Sequence, residues 1–195
     1  RANVYPNREF LSRGRREAHN KTCRHCPGLT ESCAHIIGYC PRVQEARIKR
    51  HNIVCKILAD EAKKKDWKIY IEPLIRNDNN DLFKLDLIIV KDGAAMVIDV
   101  TIRYESTLLT LKEAAMEKVK KYEHLKDQIK DLTGASIIRF FGFPLGARGK
   151  WYDGNSDVLS DIGLSQSRVN KTAIRLSNLA LFSSVDIVHI FTSSA

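Results

Sequence analysis

The sequence predicts a mixed α/β domain in which helices flank a sheet of four or more strands, with a small zinc-binding segment before it. Two patterns predict the domain: β-branched and aromatic runs occur mid-chain, and the stretches around them carry helical apolar spacing. Four cysteines within 18 residues predict the zinc-binding segment. The 195 residues are 44% hydrophobic and 28% charged, which excludes a disordered tail or a fibre.

The positive charge is concentrated in the first quarter of the chain. The formal net charge is +9; residues 1–50 hold 11 Lys and Arg against 4 Asp and Glu, a net of +7, which leaves +2 for residues 51–195. A local basic excess is the usual footprint of nucleic-acid binding, and a solubilising arm is the alternative. The candidate contacts are Arg13, Arg15, Arg16, Lys21 and Arg24.

The sequence carries no targeting or membrane signal. No uninterrupted apolar run approaches the roughly 20 residues of a membrane span, and the start RANVYPNREF has no signal-peptide core and no initiator Met. We therefore expect a piece of a longer intracellular polypeptide without a membrane partner.

The cysteine cluster has the spacing of a zinc knuckle, C-x2-C-x8-H-x4-C, which can close a tetrahedron around Zn²⁺. Its ligands would be Cys23, Cys26, His35 and Cys40. Five cysteines without a secretory signal argue against a disulfide framework. His25 and Cys33 are alternative ligands, and a group of free thiols is the alternative to a metal. Four protein ligands leave no position for water, so the zinc would be structural and would fold residues 1–41.

The elements of the second predicted domain, residues 42–195, follow from local patterns. The predicted strands, separated by turn residues and the first three joined as hairpins, are residues 67–73, 82–90, 94–103 and 135–143. The predicted helices are residues 42–65, 107–132, 156–162 and 165–191. The second helix should end at Gly134, a good C-terminal cap residue.

Two acidic residues interrupt apolar strands. Asp86 and Asp99 are each surrounded by aliphatic residues, and a carboxylate in a central strand is costly without a partner or a metal. Two acids on adjacent strands can point into one site, and their oxygens suit Mg²⁺. The alternative for each acid is a strand-end residue that caps a turn.

Lys118 and Tyr122 are the polar members of an otherwise apolar helical stripe. The stripe comprises Leu108, Leu111, Ala115, Lys118, Tyr122, Leu125, Ile129 and Leu132. A lysine on the core-facing side should meet a carboxylate, a phosphate or a metal-bound water. Alternatively, its stem packs while its ammonium reaches solvent. Tyr122 lies four residues on and shares that face.

The order of these motifs resembles a known family. A strand with Asp, a hairpin, a second strand with Asp and a nearby Lys is similar to the active site of restriction-endonuclease-like nucleases. The whole order of motifs, over roughly residues 10–145, resembles the C-terminal region of site-specific non-long-terminal-repeat retrotransposon proteins. In those proteins a reverse transcriptase is followed by a zinc knuckle and a restriction-endonuclease-like nuclease. The motifs after the knuckle are Arg50-His51-Asn52, Glu72-Pro73, Lys84-Leu85-Asp86-Leu87, residues 99–105 and residues 118–122.

The resemblance implies a restriction-endonuclease-like core and an Mg²⁺-dependent (or Mn²⁺-dependent) endonuclease that nicks double-stranded target DNA. The nick leaves a 3′-hydroxyl that primes reverse transcription. Asp86 and Asp99 would hold the metal, Lys118 would orient or deprotonate water, and Tyr122 would assist. The implied partners are DNA, the element RNA and the remaining reverse transcriptase polypeptide, in the nucleus. Arg103 is a further candidate DNA contact, and Glu72 and Glu105 are weaker candidates for metal or DNA contact.

Two positions depart from the nuclease superfamily. Leu85 stands before the first acid where Pro is common, and Thr101 stands where many members carry the lysine. The retrotransposon branch is similar to this chain, with its lysine on the following helix. Two other functions remain open at this stage. One is a nucleic-acid-binding module with a vestigial nuclease fold. The other is an unrelated metal-dependent hydrolase, which would leave the basic segment without a purpose.

Overall fold

A computed structural model describes residues 5–14 and 20–193; the candidate contacts Arg15 and Arg16 lie outside them. The helices are α1 (Arg8–Leu11), α2 (Cys33–Gly38), α3 (Gln44–Lys63), α4 (Thr110–Tyr122), α5 (Lys126–Thr133), α6 (Gly154–Asp161) and α7 (Gln166–Ser193). The strands are β1 (Lys68–Ile71), β2 (Leu74–Arg76), β3 (Leu82–Lys84), β4 (Leu87–Lys91), β5 (Ala94–Arg103) and β6 (Ile137–Gly146).

The centre of the described chain is a four-stranded mixed sheet with the order β1-β4-β5-β6. The β1 and β5 strands each run antiparallel to β4, and β6 runs parallel to β5. One face, with Leu87 and Ile89, packs on α3, α6 and α7, and the opposite face, with Ile88 and Val97, packs on α4 and α5. Because β4 and β5 are covered on both faces, they read as nearly continuous apolar runs. The predicted mixed α/β fold is confirmed.

The strand predicted at residues 82–90 is divided into β3 and β4. Pro73 lies opposite the break and has no N–H to donate, so the ladder between the two segments cannot continue. The Leu85 N–H donates to the Pro73 carbonyl instead, at 3.1 Å. The β2 strand, which pairs with β3 in a separate two-stranded sheet, was not predicted. Asp86 therefore lies at a bend between strands and not within one.

The helix predicted at residues 107–132 is also divided. A 3-10 turn, Glu123–Leu125, separates α4 from α5, and its tighter winding rotates the apolar stripe. Consequently Leu132 is 44% exposed. Leu108 is 88% exposed for another reason, since it precedes the start of α4 at Thr110. Both were wrongly placed on the buried stripe. Gly134 ends α5 as predicted, in the left-handed conformation with φ 70°.

The last helix connects the domain to the cysteine segment. The first half of α7 packs on the sheet cluster through residues such as Leu176, and the second half packs on the cysteine segment through Ile187, Val188 and Phe191. Among the described residues, α7 is also the one helix whose length and mean hydropathy of 1.3 would suit a membrane span. Its buried face serves as a shared core for both parts of the chain.

An ion cluster joins α3 to α7. The Arg168 guanidinium donates to the Glu61 carboxylate with its Nε at 2.7 Å, and the Lys64 ammonium donates at 2.8 Å. The hydrogen bond from Arg168 contributes most, and together these contacts lower the pKa of Glu61 from 4.5 to about 2. A carboxylate whose pKa is depressed on folding stabilises the protein above its unfolded pKa, and this contribution is lost as the pH falls through the folded value.

We therefore expect Glu61→Gln to lower the free energy of unfolding by about 1–2 kcal/mol at pH 7, a value reduced for the solvent exposure of Arg168. At pH 2 the two proteins should differ much less. Thermal unfolding at both pH values tests this, with the exposed neighbour variant Asp60→Asn as the control. An equal difference between Glu61→Gln and the parent at the two pH values would contradict the assignment.

Candidate functional site

The structure brings the four predicted nuclease residues to one pocket. Asp86, Asp99, Lys118 and Tyr122 line a cavity of about 560 Å³ between α3, the sheet and α4. Basic side chains also line it, namely Arg47, Arg50, Lys84 and Lys121. The pocket thus combines acidic groups at its base with cations around them.

Asp99 lies in β5 with 3% exposure, and the Lys118 Nζ is 2.5 Å from its Oδ1. A close approach of α4 to the sheet makes this pair possible. Gly142 is the register partner of Asp99 in β6, and a Cβ built there would collide with the Ala115 backbone. Because Gly142 has no side chain, α4 rests directly on the sheet, and Lys118, one turn after Ala115, reaches the carboxylate. Of the alternatives for Lys118, the carboxylate partner is the observed one.

Burial shifts the pKa values of two groups in the pocket. Burial, and then the negative charge of Asp86, raise the pKa of Asp99 above its ordinary value, while Lys118 opposes this shift. Burial, and then the charge of Asp99, likewise raise the pKa of the Tyr122 hydroxyl. Tyr122 is therefore a neutral phenol that donates to the Lys84 carbonyl at 3.4 Å. Shifts of this origin in a cleft are typical of functional sites.

Asp86 is fixed by two neighbours at the bend before β4. Its Oδ2 accepts the Val100 N–H at 2.7 Å and lies 3.0 Å from the His51 Nε2. The hydrogen bond to Asp86, followed by that to Cys55, raises the pKa of His51 to about 11. The sequence singled out His51 only as part of a motif and did not predict its contact with Asp86. The i, i+4 spacing of His51 and Cys55 on the predicted helix was the available signal.

The weaker candidates are placed differently. Glu72 lines the pocket, but its carboxylate pairs with the exposed Lys84 at 2.8 Å. The Arg103 Nη2 pairs with Glu117 at 2.9 Å. Glu105 is 7% exposed and accepts the backbone N–H of Arg148 at 3.2 Å. Among the described residues, Glu105 thus holds the loop after β6 and does not line the pocket.

The candidate nucleic-acid contacts of the N-terminal segment are partly engaged within the protein. The Arg24 Nη2 pairs with the buried Glu31 at 2.8 Å, and its guanidinium lies over the Phe191 ring of α7. The Arg13 guanidinium lies over the Phe10 ring at 5.5 Å. Lys21 is exposed. The structure therefore gives Arg24 a role in holding the cysteine segment on α7.

The cysteine segment assembles a group of side chains that could hold a structural zinc ion. The ligand atoms of Cys23, Cys26, His35 and Cys40 all lie within 4.8 Å of one another. The Cys23 and Cys40 sulfurs are 4.0 Å apart, and the Cys26 Sγ is 3.2 Å from the His35 Nε2. The Ser32 hydroxyl accepts the His35 N–H and caps α2, which sets the direction of that histidine.

The two alternative ligands lie outside this group. The Cys33 Sγ accepts a hydrogen bond from the Asn7 side chain at 3.1 Å, and the His25 Nε2 lies 2.9 Å from the Phe191 carbonyl. The contacts of both residues therefore hold neighbouring segments together.

The pKa shifts of the Cys26 and His35 side chains are consistent with a site for a divalent cation. Burial, and then the contact with Cys23, raise the pKa of the Cys26 thiol to about 12. Burial lowers the pKa of His35, which keeps its imidazole in the neutral form that binds metals. A metal ion deprotonates the thiols that coordinate it, so crowded thiols beside a neutral imidazole suit Zn²⁺.

Comparison with known proteins places the chain beside retrotransposon proteins. The chain is 31% identical over 170 residues to a Retrovirus-related Pol polyprotein from type-1 retrotransposable element R2 of Popillia japonica, covering 86% of this chain and 34% of that protein. A second such protein, from Nasonia vitripennis, is 34% identical over 99 residues. The aligned region covers 51% of this chain and 10% of that protein. The homologues of this chain are R2 Pol polyproteins. This supports the retrotransposon origin that the motif order predicted.

An R2 Pol polyprotein of Bradysia coprophila is 26% identical over 165 residues, 85% of this chain and 19% of that protein. The chain thus spans about a third or less of the length of these R2 relatives. No protein-family model matches it. A solved protein of unknown function, AF1548, aligns with a TM-score of 0.32 and 12% identity over 67% of this chain and 98% of its own.

Proposed function

We propose that this chain is a metal-dependent endonuclease with a restriction-endonuclease-like core, and that it nicks double-stranded DNA within a longer R2-type Pol polyprotein. The observation that carries the proposal is the convergence of Asp86, Asp99, Lys118 and Tyr122 in one pocket. The nick would leave a 3′-hydroxyl on chromosomal DNA in the nucleus, where it primes reverse transcription of the element RNA.

The oxygen atoms at the base of the pocket suit Mg²⁺. They belong to the carboxylates of Asp86 and Asp99 and to the Val100 carbonyl, and hard oxygen ligands are what this ion prefers. These oxygens would hold Mg²⁺, and the chemistry supplied there would be polarisation of the scissile phosphate and neutralisation of the charge that develops on it. The Val100 N–H holds one oxygen of Asp86 in place, so the site is partly organised before a metal or DNA binds.

Lys118 and Tyr122 would act directly on the reacting phosphate. The Lys118 ammonium lies beside Asp99 at the pocket wall, where it can orient the attacking water and neutralise a phosphate oxygen in the transition state. The neutral Tyr122 hydroxyl can donate to another phosphate oxygen. Arg47, Lys84 and Lys121 line the same pocket and can bind the neighbouring phosphates of the strand.

A module that only binds nucleic acid has no use for these acids. Burying the Asp99 carboxylate beneath α4 costs free energy; burial and the charge of Asp86 raise its pKa even with Lys118 beside it. A binding surface would be served better by the surrounding cations alone. The two carboxylates in the pocket therefore favour catalysis over a binding module with a vestigial nuclease fold.

Supercoiled plasmid DNA provides the direct test. With Mg²⁺ present, the chain should convert supercoiled plasmid to the open circle, and omission of divalent ions should stop the conversion. A DNA polymerase with labelled nucleotides should then extend the nicks, because each carries a 3′-hydroxyl. Plasmid that is bound but stays supercoiled with both Mg²⁺ and Mn²⁺ would refute the nuclease. Nicks that cannot be extended would refute the priming step alone.

A further inference from the structure

His51 points a ring nitrogen at two of the oxygen atoms proposed to hold the cation. The Nε2 lies 3.0 Å from the Asp86 Oδ2 and 3.2 Å from the Val100 carbonyl oxygen. His51 lies on α3 and lines the same pocket. The function proposed above gives this histidine no part in the reaction.

The two distances from the Nε2 to these oxygens match those between neighbouring ligands of one ion. Adjacent ligands of an octahedral ion with bonds of about 2.1 Å lie about 3.0 Å apart. The nitrogen is thus spaced from both oxygens as adjacent ligands of one ion would be. The described pocket therefore offers a mixed set of nitrogen and oxygen donors.

The surroundings of His51 fix its ring in this direction. Its Nδ1 lies 3.2 Å from the Asn52 side-chain oxygen and can donate to it. The proton that Nε2 shares with Asp86 and the Val100 carbonyl is then the one that a bound cation would replace. Arg50, the preceding residue, is 3% exposed and donates to the Ser184 hydroxyl of α7 at 2.6 Å. This contact anchors α3 and with it the position of the imidazole.

Cys55 lies one turn further along the helix and completes a possible His–Cys–Asp group. It is 8% exposed and belongs to the main hydrophobic cluster. Its Sγ is 3.7 Å from the His51 Nδ1 and 3.9 Å from the Nε2. Its burial in this cluster favours a packing role for Cys55, and an ion held by carboxylate and carbonyl oxygens has little preference for a thiol.

We infer that His51 is a ligand of the nuclease cation through its Nε2 and that it shifts the site toward Mn²⁺ relative to Mg²⁺. This inference rests on the proposed function of the same pocket. Imidazole nitrogen suits transition metals such as Mn²⁺ better than Mg²⁺, whereas carboxylate and carbonyl oxygens serve either ion.

Electron paramagnetic resonance of free Mn²⁺, titrated with the zinc-loaded chain, measures this binding without any DNA. We expect His51→Ala and the similarly sized His51→Gln to weaken Mn²⁺ binding by about 10-fold or more. The concentration of Mg²⁺ that displaces half of the bound Mn²⁺ should fall as well. His51→Glu should recover metal binding with a preference shifted toward Mg²⁺. Unchanged Mn²⁺ affinity in the Ala and Gln variants would overturn the inference.

Cys55→Ser is the matched control on the same helix. It should retain the Mn²⁺ affinity of the parent chain, and a loss equal to that of His51→Gln would overturn the assigned ligand set in favour of a thiol-containing one. Equal thermal unfolding temperatures of the variants show that the effect is local. If the chain binds Mn²⁺ through His51 but never nicks DNA, only the proposed function fails; if it nicks DNA and His51 does not affect Mn²⁺ affinity, only this inference fails.

Discussion

Asp99→Ala should abolish metal-dependent nicking of supercoiled plasmid, and Lys118→Ala should slow it by about 10²–10³-fold, the usual cost of losing one charge-stabilising donor. Asp99 has the larger effect because it would hold the cation and also position Lys118, whose ammonium is 2.5 Å away. Initial rates of open-circle formation under single-turnover conditions measure both effects.

The same variants separate chemistry from folding. Asp99→Ala leaves the half-buried Lys118 ammonium without its counter-ion, which should lower the free energy of unfolding by about 3 kcal/mol. Lys118→Ala leaves two carboxylates facing one pocket, so added Mg²⁺ should restore part of the lost stability by binding between them. Thermal unfolding with and without Mg²⁺ records these differences.

Lys112→Ala is the control on the exposed side of α4, and it should nick at the parent rate. The assignment of the site would be wrong if Asp99→Ala and Lys118→Ala remained folded and nicked as fast as this control. Slower nicking by Lys112→Ala alone would place the reactive lysine on the other face of the helix.

Purified chain should contain one zinc ion, and Cys26→Ser should lose it together with the packing of the cysteine segment on α7. Structural zinc in small knuckles supplies on the order of 10 kcal/mol of apparent binding energy at neutral pH. Much of this segment's core consists of its own ligands, since Cys23 and Cys40 are buried beside Ile36 and Phe191. Loss of the metal should therefore unfold the segment while the sheet remains.

Native mass spectrometry gives the zinc content, and amide hydrogen exchange shows whether α2 and the second half of α7 lose protection. Cys33→Ser is the matched control, because the Cys33 sulfur contacts Asn7 and lies outside the ligand group; it should keep its zinc. A metal-free Cys26→Ser protein with parent-like protection of α2 would contradict a structural zinc.

The sequence by itself determined the features that depend on local pattern. Apolar spacing located α3, turn residues located the hairpin of β4 and β5, and Gly134 marked the end of α5. Ligand spacing selected the four residues of the cysteine group. The sequence singled out Asp86, Asp99 and Lys118 because each interrupts an apolar run, and burying an unpaired charge is costly wherever it occurs.

Only the tertiary structure decided the features that depend on partners distant in sequence. Pro73 interrupts the backbone hydrogen bonding to residues 85 and 86, which pair with it across a turn. Gly142 has no side chain, which allows α4 to pack closely over Asp99. The local pattern of its helix does not by itself mark His51 as a pocket residue. It lines the pocket because α3 packs against β5, which brings its ring to Asp86 and the Val100 carbonyl. Local periodicity specifies which side of an element is buried, but contacts between elements decide which polar groups meet there.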